Sequence, residues 1–211
     1  MGQDNLRLRV FEGIAVNPDR NMILTRLGYK KTSTVLSNEY VEKLNQNIKQ
    51  GLLLCNPKGI FGRFKILSWC DKHVEFDNGI ILHSKDLAKF LEGCHEVILM
   101  AATVGSDITD IIHQEVAGGD AAFGLILDAV ASETADAALD WMVDFINKMI
   151  RREGIKLTKN RYSPGYGDLL LQNQKTLFDI LQLDRLGLGI TESCILVPEK
   201  SVIAIAGITS I

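Results

Sequence analysis

The sequence predicts an α+β fold in which a twisted, mainly antiparallel sheet is combined with one long central helix. Three observations carry this reading. Short strand patterns lie on either side of a helical block instead of alternating with helices, the Ala-rich run from Asp120 to about Arg152 is long and free of proline, and no repeating β-α-β unit occurs.

The elements follow in order. Ser37 or Asn38 can accept hydrogen bonds from the first turn of a helix reaching about Gln50, with Gly51 as its terminator. Strands are expected at Leu52 to Cys55 and Gly59 to Leu67. A further pair, His73 to Phe76 and Ile80 to His83, is joined across Asp77-Asn78-Gly79, where Asn-Gly supplies the positive φ of a tight hairpin. Glu96 to Thr103 reads as a buried strand that leads through Gly105 to a helix capped by Ser106 or Asp107.

From Asp120 to about Arg152, stopped by Gly154, the pattern predicts a helix of about 45 to 50 Å at 1.5 Å per residue. Leu127, Val130, Thr134, Ala138, Trp141, Phe145 and Met149 recur at steps of three and four, which marks a core-facing stripe. A second stripe is polar. Asp128, Ser132, Asp136, Asp140 and Asp144 stand four apart, and only Lys148 follows as a cation at helical spacing. Such a row is ordinarily a solvated face, but Asp136 sits among Ala135, Ala137 and Ala138, so another segment or a ligand can approach it closely.

Beyond that helix, "NRYSPGYGD" places Pro164-Gly165 in a turn, with proline presetting φ and glycine taking the positive value after it. Arg161 and Tyr166 flank this stiffened backbone, an arrangement suited to a planar or anionic ligand. "QKTLFDILQL" is an amphipathic helix burying Leu177, Ile180 and Leu181. "GITESCILVP" and "KSVIAIAGIT" then read as two strands turning at Pro198-Glu199-Lys200.

With 211 residues, 46% hydrophobic and 23% charged, the chain has the composition of a globular protein. We expect one domain over 1–211, with an N-terminal α/β subregion at 1–117. The remainder, 118–211, carries the long helix, the Pro-Gly loop and a C-terminal hairpin. A formal charge of −3 with scattered basic residues argues against nucleic acid as a partner. The start lacks a signal-peptide pattern and no apolar run would span a bilayer, so a cytoplasmic protein with no membrane partner is expected. Four single cysteines without a C-x-x-C pair read as reduced, buried thiols, and four dispersed histidines give no local metal motif. Phosphate-loop, dinucleotide and nucleophile-elbow motifs are absent. "AATVGSD" could hold an anion at a helix start, though as a lone strand-to-helix turn it is weak evidence.

"RYSPGYGD", the helix "QKTLFDIL" and "GITESCILVPEKSVIAIAGI" together resemble the activation domain of cobalamin-dependent methionine synthase, in which an R-x-x-P-G-Y loop precedes a helix, an L-T-E-S strand and a proline turn. "ILDAVASETADAALDWMVDFI" is similar in phase to that domain's long helix, so the likeness covers Asp120 to the C-terminus. "LGYKK" at Leu27 to Lys31 is similar to what free-standing members carry. The resemblance implies an activation-domain-like fold that binds S-adenosylmethionine. It implies that Arg161 pairs with the ligand's carboxylate, that the backbone of Ser163, Pro164 and Gly165 hydrogen-bonds the adenine, and that Tyr166 packs beside it. Asp136 falls where the family's long helix carries a ligand-facing glutamate, favouring a cationic sulfonium or ammonium group; Asp140, one turn along, is expected to matter little. Gly167 replaces the family's proline, and aromatic residues that wall the ligand in the full-length domain would lie beyond Ile211.

The chain has no D-x-H-x-x-G motif, so the resemblance implies that cobalamin is carried by a partner, a cobalamin-dependent methionine synthase lacking its own activation domain. An electron donor such as flavodoxin or ferredoxin would supply one electron, and S-adenosylmethionine a methyl cation equivalent, for reductive methylation of cob(II)alamin. This chain's part would be orientation of the methyl donor. Two alternatives stay open: a non-catalytic docking module that kept the fold and lost the ligand, and a reactivation partner of another corrinoid methyltransferase.

Overall fold

The computed structural model describes residues 8–30 and 37–211. Readings placed on residues 1–7 and on Lys31 lie outside them. In chain order the elements are β1 (Leu8–Phe11), α1 (Arg20–Arg26), α2 (Asn38–Leu54), β2 (Lys58–Cys70), β3 (His73–Phe76), β4 (Ile81–His83), α3 (Lys85–Phe90), β5 (Glu96–Thr103), α4 (Asp107–Gly118), α5 (Ala121–Ile150), β6 (Ile155–Leu157), α6 (Asn173–Leu181), β7 (Gly189–Ile190), β8 (Leu196–Val197) and β9 (Ser201–Ser210). The α+β expectation holds. A seven-stranded sheet runs β4-β3-β2-β5-β9-β6, with β1 also paired to β2, and its pairings are antiparallel. Strands from both sides of residue 117 share this sheet.

Alternation along β5 builds two cores at once. Val97, Leu99 and Ala101 join the side chains of α3 and α6 on one face, while Ile98, Met100 and Ala102 meet the second half of α5 on the other. β9 does the same with Ile203 and Ile205 against Ala204, Ala206 and Ile208. A third core lies among α1, α2, α4 and the first half of α5.

β5 spans the expected residues, and the β3–β4 hairpin turns at Gly79 with φ of +80°. α5 begins at Asp120, whose carboxylate accepts from the amides of Ala122 and Phe123, both at 3.1 Å, and the chain leaves it through Gly154. Several expectations need correction. Leu52 to Leu54 are helical, because α2 continues through Gly51. That glycine is not a terminator: a Cβ there would meet Leu127 Cδ2 at 3.0 Å and Val130 Cγ1 at 3.1 Å, so it lets α2 approach α5.

Ser106 stands at the cap of α4 with helical φ and ψ, which turns its hydroxyl away from the first-turn amides and leaves the side-chain cap unmade. The α5 stripe also drifts. Leu127, Val130, Thr134 and Ala138 are buried as expected, but burial then continues through Met142, Ile146 and Ile150, and Met149 is exposed. Trp141 and Phe145 instead pack edge-on to Phe11, with ring centroids 5.1 Å apart in each case.

The expected C-terminal hairpin is replaced by two separate pairings. β7 and β8 form a small sheet of their own, closed where the Ile195 amide donates to Thr191 Oγ1 at 3.0 Å. β9 enters the main sheet between β5 and β6, where an apolar strand is covered on both faces. The thiols also differ from expectation: Cys94 and Cys194 are buried, whereas Cys70 is exposed and lies 3.2 Å from His73 Nδ1 across the β2–β3 pair. Among the described residues no helix is long and apolar enough to cross a membrane.

Candidate functional site

The residues between β6 and α6 pack along the outer edge of β9. Tyr162 exchanges two backbone hydrogen bonds with Ile205, at 2.8 and 2.7 Å, and the Thr158 amide donates to the Gly207 carbonyl at 2.8 Å. Beyond that bridge, Ser201 to Ala204 form the floor of an open groove of about 580 Å³. Asp136, Leu139, Asp140 and Val143 of α5 make one wall. Thr158 to Arg161, with Ser163, Pro164 and Tyr166, make the other, and Gln174 of α6 joins them. That volume lies within the range of small-molecule sites.

The turn forms as its residues dictate. Gly165 has φ of +93° and the Tyr166 amide donates to the Ser163 carbonyl at 3.2 Å. The Gly165 amide donates to the Leu169 carbonyl at 2.7 Å, so this donor is used within the loop and Gly165 is not among the groove-lining residues. Among the described residues no backbone hydrogen bond engages the Ser163 amide or the Pro164 and Gly165 carbonyls. Pro164 is buried, while the Tyr166 ring is 68% exposed at the rim.

Asp168 moors the loop to α3. Its carboxylate accepts from the Ser84 hydroxyl and from the Lys85 and Asp86 amides, the latter two at 2.8 and 3.2 Å. Those bonds, the Ser84 hydroxyl first, hold the Asp168 carboxyl below its ordinary range. Gly167, at φ of +51°, fits where any Cβ would collide with the Asp86 carboxylate and the Tyr162 hydroxyl. The departure from the proline pattern at Gly167 follows from its backbone, because the proline ring holds φ at about −65° and cannot take this positive value.

Three of the four acids in the α5 row are paired from outside the helix. Lys200 of the β8–β9 connection reaches Asp128 at 2.7 Å and Ser132 at 3.0 Å. Arg26 of α1 reaches Asp136 at 2.7 Å and also bonds Glu133. Arg161 reaches Asp140 at 2.6 Å. Three segments distant in sequence therefore cover what the helix alone leaves unpaired. Burial raises the Asp136 carboxyl above its ordinary range; Arg26 and Arg161 oppose this, whereas Glu133 and Asp140 add to it.

The structure brings Asp136, Arg161, Ser163, Pro164 and Tyr166 to one groove, with Gly165 shaping the turn behind it. Asp140, expected to matter little, also lines the groove, and its carboxylate accepts from Arg161 Nη1 at 2.6 Å. Arg161 keeps Nε and Nη2 without a partner among the described residues, enough to take a second carboxylate. Reasoning from sequence missed Arg26, Glu133, Asp168 and Gln174. Only Asp168 carried a signal, since it closes the "RYSPGYGD" segment; Arg26 lies 110 residues from Asp136. A second cavity, of about 410 Å³, lies between α6 and the β2 side of the sheet, with Asp179 as its one charged lining residue among those described.

No family model and no curated protein matches the chain. Among solved structures, it is similar to the MetH reactivation domain bound to AdoHcy, with a TM-score of 0.70 and 14% sequence identity over 95% of this chain and 78% of that one. The two share a fold: a curled antiparallel sheet with a long central helix.

Proposed function

We propose that the groove between α5 and the Pro-Gly loop binds S-adenosylmethionine, and that the chain serves as an activation subunit for a cobalamin-dependent methionine synthase lacking such a domain. One observation carries the reading. The R-x-x-P-G-Y segment forms a groove wall facing Asp136 and Asp140, in a fold shared with a reactivation domain bound to AdoHcy.

The residues fit such a ligand. Arg161, oriented by Asp140, presents two remaining donor groups to an amino-acid carboxylate. The Ser163 amide and the Pro164 carbonyl, both on the groove wall, offer one donor and one acceptor to a base edge. The exposed Tyr166 ring supplies a flat surface beside it. Leu139 and Val143 give the groove an apolar side.

The ligand's sulfonium methyl group is the chemistry brought to the site. This chain would bind and orient it toward cobalamin held by the partner, for reductive methylation of cob(II)alamin with an electron from a donor such as flavodoxin or ferredoxin. The internal pairing of Asp136 with Arg26 and of Arg161 with Asp140 favours one second reading, a docking module that kept the fold without the ligand.

Calorimetric titration of S-adenosylmethionine into the protein decides between them. Saturable binding is expected, and Arg161→Ala should weaken it by about 2 to 4 kcal/mol by removing the carboxylate partner. Asp140→Asn should weaken it by about 1 kcal/mol through loss of orientation alone. Absence of binding, both alone and with a synthase present, supports the docking module.

A further inference from the structure

We propose that Arg26 sets the charge selectivity of the groove, so that it accepts the sulfonium S-adenosylmethionine and the neutral thioether S-adenosylhomocysteine with similar affinity. This rests on reading the groove as the site of such a nucleoside. A lone carboxylate on the α5 wall would favour the cation. Here neither carboxylate is alone.

Arg26 is gripped from two sides. Its Nε bonds Glu133, which is 7% exposed, while Nη2 reaches Asp136 Oδ2 at 2.7 Å. A buried carboxylate held by one arginine cannot easily release it, because its charge would then stand uncompensated in the helical core. Arg26 is therefore fixed beside Asp136 and does not make way for an arriving cation. The groove's other carboxylate, Asp140, is taken by Arg161 at 2.6 Å.

The remaining charge on the groove wall is Lys159. Among the described residues, Arg26, Arg161 and Lys159 then stand against Glu133, Asp136 and Asp140, and the local charges balance. A sulfonium entering such a field gains little over a thioether. The two ligands share adenosine, ammonium and carboxylate groups, so the ratio of their affinities isolates the sulfonium charge. The thioether left when the methyl group has been donated would stay bound about as well as the donor, and occupancy of the chain would follow the proportion of the two.

The test is parallel calorimetric titration of both nucleosides into the full chain and two variants. The wild type should bind the two within about threefold of each other. Arg26→Gln combined with Glu133→Gln removes the cation without leaving a buried carboxylate. It frees the Asp136 charge, and the preference for the sulfonium should rise by roughly fivefold or more. Arg26→Lys keeps the charge and should hold the ratio near that of the wild type. A merely structural role for Arg26 would lower both affinities together and leave their ratio unmoved. A wild-type preference above about fivefold for the sulfonium, or an unchanged ratio in the double variant, overturns the proposal while leaving the nucleoside site standing. Failure of both ligands to bind, alone and with a synthase present, overturns the site and the proposal with it.

Discussion

The two halves of α5 reach burial by different means. The first half lies among α1, α2 and α4, and its contacts rely on small residues: Gly51 lets α2 close on Leu127 and Val130, and Gly124 lies under Val116. It also buries the polar Glu133 and Thr134. The second half lies on the sheet through Met142, Ile146 and Ile150, with Trp141 and Phe145 at the side. The groove sits at the changeover, on Asp136 to Val143. A helix that passes from a layer of helices to a sheet cannot cover both completely at the seam, and the acids there are matched by cations from elsewhere instead of by packing.

Removing bulk from the sheet-facing half should break this arrangement most. Ile146→Ala is expected to cost about 3 kcal/mol in chemical denaturation, because the surrounding core cannot fully collapse into the space. Arg26→Ala attacks the helical half and should cost about 2 kcal/mol. This lies below the usual penalty for an uncompensated buried charge because Arg26 is itself partly exposed. Adding Glu133→Gln to that variant should recover about 1 kcal/mol, and no recovery would show that the pairing is not what holds α1.

The smallest effect should come from Asp136→Asn, within about 1 kcal/mol at neutral pH. Burial raises the Asp136 carboxyl above 3.8, so the folded chain binds that proton more tightly than the unfolded chain does. The contribution of this group to stability therefore falls as pH rises from 3.8 through the raised value, and the variant should lack that slope. Matching pH profiles for the two proteins would mean that Arg26 fully offsets the burial.

Local chemistry made much of this legible in the sequence. β5, the β3–β4 hairpin, both ends of α5 and the Pro-Gly turn depend on near neighbours, and each appears where its residues place it. Gly51 was misread because a glycine that ends a helix and one that admits a neighbouring helix look alike until the neighbour is known. The acidic row was legible as a row, but its partners were not, since Arg26, Arg161 and Lys200 reach it from three separate segments. The stripe drift at Met149 has a similar origin: from Met142 onward the sheet, not the helical layer, decides which side is inside. The loop residues of the site emerged through their motif, whereas the mooring by Asp168 depends on Ser84, 84 residues away.

The place of β9 bears on how the chain is made. Ser201 lies 98 residues after its neighbour Thr103 on β5, yet β9 fills the interior of the sheet. At about 5 to 20 residues per second, a ribosome would take roughly 5 to 20 seconds to supply β9 after β5 has been synthesised. Throughout that interval one edge of an almost wholly apolar strand is open to other nascent chains. Demand for a holding chaperone should therefore persist from the synthesis of β5 until β9 docks, the same event that lays the groove's floor.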